Sequence, residues 1–184
     1  MRVSLYDPNL HLDSALACCR AAWRSAPLTK TERTKMAPYF RKQFNNGDLE
    51  AELGDSITHP DTIRVWVATG EADHTVAAFL RVVYYPDEND VEASHCMILP
   101  EYQGTKLGLQ LAAEMEQFIA EKGATKLWCF CLSANKKAVK AYINYGLDIV
   151  LTAPWEECGG LPYYHMEKAI DQNRGPVKKR KAKK

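Results

Sequence analysis

The chain lacks long apolar runs, metal-ligand spacing, repeats and the common phosphate-binding motifs. Each absence removes a class of protein. No stretch of 18 or more apolar residues occurs in the 184 residues, which excludes a membrane-spanning helix. The first residues, MRVSLYDPNLHLD, carry no long apolar segment after Arg2. The expectation is therefore no secretory leader and a cytoplasmic address. Six cysteines are present (Cys18, Cys19, Cys96, Cys129, Cys131 and Cys158), but no CxxC pair and no Cys/His zinc spacing. Neither a metal site nor a disulfide scaffold is predicted, and the cysteines read as small apolar residues in a reducing compartment. Neither a Walker P-loop nor a GxGxxG turn appears.

What is present is ordinary globular material: 46% hydrophobic and 26% charged residues. That suits one domain with a sizeable core. The net charge of +1 conceals an asymmetry. Residues 171–184 hold seven of the 24 basic side chains against Asp171, leaving 17 basic and 22 acidic side chains in residues 1–170. The expected organisation is a single acidic domain over 1–170 and a disordered basic tail over 171–184. Lys178–Lys181 (KKRK) fits a short basic nuclear-import pattern. Residues 174–184 would also give weak contact with nucleic acid.

Hydrophobic periodicity predicts the elements. Residues 2–6 alternate as a strand. Asp7-Pro8 starts a helix, and Thr29 to Glu32 is a capping-box pattern that starts another. Residues 46–62 read as turn-rich around a short helix. Strands follow at 63–69, 75–85 and 91–99, then a helix over 104–122. A buried strand at 127–132, a helix at 135–145 and closing strands at 149–153 and 163–169 complete the chain. This order predicts an α+β fold with a local parallel β-α-β unit.

The informative stretch is Ile98-Leu99-Pro100-Glu101-Tyr102-Gln103-Gly104-Thr105-Lys106-Leu107-Gly108. A strand ends at proline, and two glycines straddle a helix start. Free N–H groups at a helix N-terminus attract anions, and glycine permits close approach. A phosphate-bearing ligand at this turn is one reading, and an ordinary loop is the other.

Here the sequence resembles the GNAT superfamily of acyl-CoA-dependent N-acyltransferases. Ile98-Leu99-Pro100 matches its V/I-x-P strand end, while Gln103 and Gly108 match the ends of Q/R-x-x-G-x-G/A. Lys106 stands where the family usually has glycine, and its ammonium suits a pyrophosphate. Downstream, Asn135, Ala138, Tyr142 and Gly146 match N-x-x-A-x-x-x-Y-x-x-x-G.

The resemblance implies a mixed, mostly antiparallel sheet of about seven strands, whose central parallel strands splay, with flanking helices. It implies acetyl-CoA as cosubstrate. Gln103, Gly104, Thr105, Lys106, Leu107 and Gly108 would hold its pyrophosphate, Cys96, Met97 and Ile98 its pantetheine arm, with Asn135 and Ala138 alongside. An amine would attack the thioester directly, with Tyr142 as general acid. The base stays open among Glu92, His95 and solvent or another residue. In a regular strand His95 points away from Glu92, and a bulge would reverse that parity. The acidic turn Asp87, Glu88 and Asp90 is either a solvated loop or an attractor for a cationic amine. Trp155, Tyr163 and Tyr164 are acceptor-wall, dimer-contact or packing residues. The leading expectation is an N-acetyltransferase for a primary amine of a small molecule. Rival readings are a protein or nucleic-acid-associated acceptor docked by the tail, and a non-catalytic acyl-CoA-binding module.

Overall fold

The computed structural model describes residues 1–70 and 74–171. The basic run from Arg174 onward, with the disorder, nuclear-import and nucleic-acid readings placed on it, lies outside the described residues. The elements run β1 (Arg2–Leu5), α1 (Pro8–Ser25), α2 (Lys30–Asn45), α3 (Asp48–Thr58), β2 (Ile63–Thr69), β3 (Val76–Tyr85) and β4 (Asp90–Ile98). They continue with α4 (Leu107–Lys122), β5 (Lys126–Leu132), α5 (Lys136–Tyr145), β6 (Asp148–Trp155) and β7 (Leu161–Ala169).

Local chemistry sets the helix ends. The Asp7 carboxylate accepts from the Asn9 N–H, with Pro8 in the first turn of α1. Thr29 and Glu32 form the reciprocal capping box at α2. The segment after α2 is more helical than its turn residues suggest. Gly47, at φ 82°, reverses the chain, and Leu49 and Leu53 then bury one face of α3. Helix α4 starts at Leu107 rather than Gly104, because Gly104 sits at φ 80°, outside helical backbone.

Among the described residues the seven strands form one sheet, in the order β1-β2-β3-β4-β5-β7-β6. All neighbours are antiparallel except β4 and β5. On one face Leu107, Leu111, Met115 and Phe118 of α4 pack on Leu80, Val82 and Cys129. On the other, Ala15, Cys19, Leu49 and Leu53 of α1 and α3 cover Val65, Val67 and Phe79. A third cluster joins Met36 and Tyr39 of α2 to Cys158 and Leu161.

The parallel pair β4–β5 holds for three rungs only: Asp90 with Lys126, Val91 with Leu127, and Glu92 with Trp128. Beyond Glu92 the strands run on without pairing to each other. The paired end is pinned by Asp90, which is 5% exposed. Its carboxylate accepts from Trp128 Nε1 at 3.0 Å and meets Lys126 Nζ at 3.1 Å. Asp90 is therefore a fastener within the sheet and not a surface lure for amines, whereas Asp87 and Glu88 are exposed. Asp90→Ala leaves a half-buried indole N–H without its acceptor and Lys126 without its partner. It should destabilise the fold by about 2 kcal/mol, read as a lower urea midpoint at unchanged m-value.

Candidate functional site

The unpaired ends of β4 and β5 open a cavity of about 540 Å³. Its walls come from β4 (Ala93 to Ile98), the turn at Gln103 and Gly104, the end of β5 and one face of α5. The far side is closed by Trp23, Tyr39 and Trp155.

On the α4 side the turn makes an anion cradle. Gln103 and Thr105 spend their backbone N–H groups on Pro100 and Tyr102 carbonyls. The Leu107 N–H donates to Thr105 Oγ1 at 3.3 Å. Among the described residues, the N–H groups of Gly104, Lys106 and Gly108 have no intramolecular acceptor. They stand at the positive end of α4, and Lys106, exposed at the cap, adds a cation. A Cβ on Gly108 would lie 3.3 Å from Ile98 Cδ1, so glycine lets the helix start close against the strand end. The edge of β4 from Ala93 to Ile98 that faces β5 carries no strand partner, and Gln103 Nε2 takes the Ile98 carbonyl at 3.2 Å. Free N–H groups at a helix start and an open strand edge fit a pyrophosphate and its amide-bearing arm.

On the α5 side Asn135, Ala138 and Tyr142 all line the cavity. The Asn135 side chain also caps the helix, accepting from the Ala138 N–H at 3.3 Å. Tyr142 and Cys96 line the gap together. Burial holds the Tyr142 phenol well above the ordinary value, so it stays a proton donor. Burial likewise pushes the Cys96 thiol up to about 11, and Cys129 and Cys131 to about 12.

The opposite face of β4 shows what a regular alternation would miss. Arg81 pairs with His95 while Val82 pairs with Ala93, so Ser94 is an inserted bulge residue. Glu92 pairs with Val83, which puts Glu92 and His95 on the same face as Arg81. His95 lines the cavity, whereas Glu92 sits behind it, accepting from Tyr85 Oη at 2.8 Å. Burial raises the Glu92 carboxyl above the usual carboxylate range. Burial and the Arg81 charge lower His95 to about 4, leaving it neutral near pH 7.

Six contributors went unseen in the sequence, two of them Trp23 and Tyr39 on the far side of the cavity. Glu52 of α3 comes within 3.6 Å of His95 Nδ1, and burial raises its carboxyl too. Arg81 fixes the bulge. Lys137 and Lys140 line the α5 wall. Arg81 was legible in principle, because one charge inside the apolar run of β3 demands buried partners. Glu52 gave no such signal, since it reaches the site only through the packing of α3.

Gly104→Val tests the cradle. A Cβ there meets nothing within 4 Å, so the effect is purely conformational. A β-branched residue at φ 80° must rebuild the turn. Coenzyme A should bind at least about tenfold more weakly, by calorimetry, for about 1–2 kcal/mol of backbone strain.

The acetyltransferase (GNAT) family profile matches residues 22–146. An uncharacterized N-acetyltransferase of Mycobacterium tuberculosis is 26% identical over 115 residues, covering 62% of this chain and 71% of that protein. The PaiA N-acetyltransferase of Thermoplasma acidophilum, solved with coenzyme A, superposes with TM-score 0.73 at 19% identity, over 92% of this chain and all of that one. An aminoglycoside 6'-N-acetyltransferase complexed with coenzyme A gives TM-score 0.67 at 15% identity, over 95% and 100%. Nourseothricin acetyltransferase gives TM-score 0.55 at 24% identity, over 59% of this chain and 65% of that chain. A splayed parallel pair, an anion cradle opening α4 and a profile match over most of the domain agree: the chain belongs to the acetyltransferase (GNAT) family, acyltransferases that take acetyl-CoA as cosubstrate.

Proposed function

We propose that the chain transfers the acetyl group of acetyl-CoA to the primary amine of a small molecule by direct attack. The observation that carries this reading is the gap between β4 and β5. Tyr142 approaches it from α5, and the Glu92–His95 face approaches from the other side. The new C–N bond forms as the C–S bond breaks. The amine nitrogen loses a proton, and the departing thiolate gains one.

The proton given to sulfur comes from Tyr142, whose burial keeps it protonated until a stronger base appears beside it. The proton taken from nitrogen goes to Glu92 through water, because Glu92 sits behind the cavity wall. The choice between Glu92 and His95 follows from their affinities for a proton. His95, at about 4, is the weaker base, while burial lifts Glu92 above the carboxylate range. His95 then serves as a neutral hydrogen-bond partner at the cavity wall.

The acceptor end is aromatic. Trp23 and Tyr39 lie 6.2 Å apart, and Tyr39 and Trp155 5.5 Å. Among the described residues lining the cavity there is no carboxylate. Such walls suit an amine with one charge and an apolar or aromatic body, and give little to a polycation. Arylalkyl monoamines should exceed polyamines and aminoglycosides in kcat/KM, followed by thiol release from acetyl-CoA. A preference for the polycations would refute this.

Tyr142→Phe should lower kcat at least about tenfold, and Glu92→Gln about 10²-fold or more. The pH profile adds a check. Glu92 works as a base only when ionised, so kcat/KM falls as pH drops through its raised value, and Glu92→Gln removes that limb. The sign for stability is opposite. A carboxyl raised by folding binds more protons folded than unfolded, so stability declines as pH rises from about 4.3 through the folded value. Glu92→Gln should therefore raise the melting temperature at pH 7 while costing activity. If Glu52→Gln removed the limb and Glu92→Gln did not, the base would be Glu52.

A further inference from the structure

A second concavity of about 320 Å³ lies on the outer side of α1 and α2. Arg20 and Arg24 of α1 and Arg33 and Arg41 of α2 line it, over Phe40 and Phe44. We infer that this arginine cup binds a small polyphosphate-bearing ligand. No residue lines both this cup and the cavity between β4 and β5, so the inference does not rest on the proposed reaction.

Three observations carry it. First, the charges are uncompensated. Among the described residues none of the four guanidinium groups has a carboxylate within ion-pair distance. This occurs in a domain with 22 acidic side chains against 17 basic ones. Four like charges around one hollow repel, and a polyanion between them relieves that repulsion. Second, the cup is held in place. Arg33 Nη2 donates to the Arg24 and Ala26 carbonyls at 3.0 and 2.6 Å, which ties α2 to the end of α1. The Arg20 guanidinium lies 5.2 Å over the Phe44 ring. Third, part of the lining is apolar. Phe40 and Phe44 stack at 6.0 Å and 17°.

The number of forks selects the ligand chemistry. A carboxylate offers a single two-oxygen edge and satisfies one guanidinium fork, whereas linked phosphoryl groups present several oxygens to forks from two helices. The hollow is larger than one phosphate needs, and its phenyl lining adds apolar contact beside the phosphates. The two sources of this chemistry are a nucleoside triphosphate and an inorganic polyphosphate.

The test is calorimetric titration of the full chain, presaturated with coenzyme A so that the cradle at α4 is filled. The probes are ATP, inorganic tripolyphosphate and, as a control, a single-stranded oligonucleotide at low salt. One-to-one binding is expected, weakening steeply with added salt and at least about tenfold in Arg24→Gln/Arg41→Gln, where two charge-assisted contacts are lost. Tighter binding of ATP than of tripolyphosphate identifies a nucleotide, and equal binding identifies a polyphosphate. Arg24→Lys/Arg41→Lys should also lose affinity, because the charge remains and the fork does not. Coenzyme A affinity should be unchanged in every variant. Should the double variants fail to fold, Arg20→Gln gives the same reading from an exposed position. The proposal is overturned if neither probe binds, if the variants bind as tightly as the parent, or if only a single-stranded oligonucleotide binds.

Discussion

Arg81 carries a full charge in the middle of an otherwise apolar strand, at 7% exposure. A buried cation persists only where its donors are met. Nε donates to the Glu52 carbonyl at 2.9 Å, Nη1 to Ser94 Oγ at 2.8 Å, and Asp55 lies 3.9 Å from Nη2. One guanidinium thereby performs two tasks. It seats α3 against the sheet, and it holds Ser94 in the bulge that turns His95 onto the face of Glu92 and Glu52. The electrostatic character of that side of the cavity depends on that pairing. Without the bulge, His95 would point into the α4 layer.

The sheet is closed at one end and open at the other, and the two ends depend on each other. Asp90, Trp128 and Lys126 clamp the start of the parallel pair. The same strands then separate without either losing its outer neighbour. β4 stays paired with β3 as far as Ile98, and β5 with β7 as far as Leu132. The gap is thus a rigid slot between two supported strands and not a fray. α4 presents its positive terminus at one mouth and α5 lays Tyr142 along one wall, so ligand-facing groups are set before anything binds.

The parts read correctly from the sequence are those with strong local rules. Thr29 with Glu32 and Asp7 with Pro8 set helix starts by chemistry confined to four residues. Ile98 to Gly108 and Asn135 to Gly146 carried the family resemblance because a strand end, a turn and a helix cap each demand particular residues. Local pattern failed where tertiary packing decides. α3 follows turn-forming residues, yet Leu49 and Leu53 find a buried partner surface and the helix extends. The acidic turn looked uniform, but Asp90 is buried in a hydrogen bond to an indole 38 residues away. The parity of His95 depends on one inserted residue, whose cause lies on the neighbouring strand. Glu52 joins the site across 43 residues of chain, which no spacing rule encodes.

The buried thiols bear on the selectivity of a protein that hosts a thioester. Cys96 lines the slot, and Cys131 lines it from the opposite strand. A thiolate there would capture the acetyl group faster than an amine could and would leave the protein itself acylated. Burial holds the Cys96 thiol up at about 11, so near pH 7 it stays in the protonated form, which is a poor nucleophile. The desolvation that makes these residues good packing material also keeps them chemically silent.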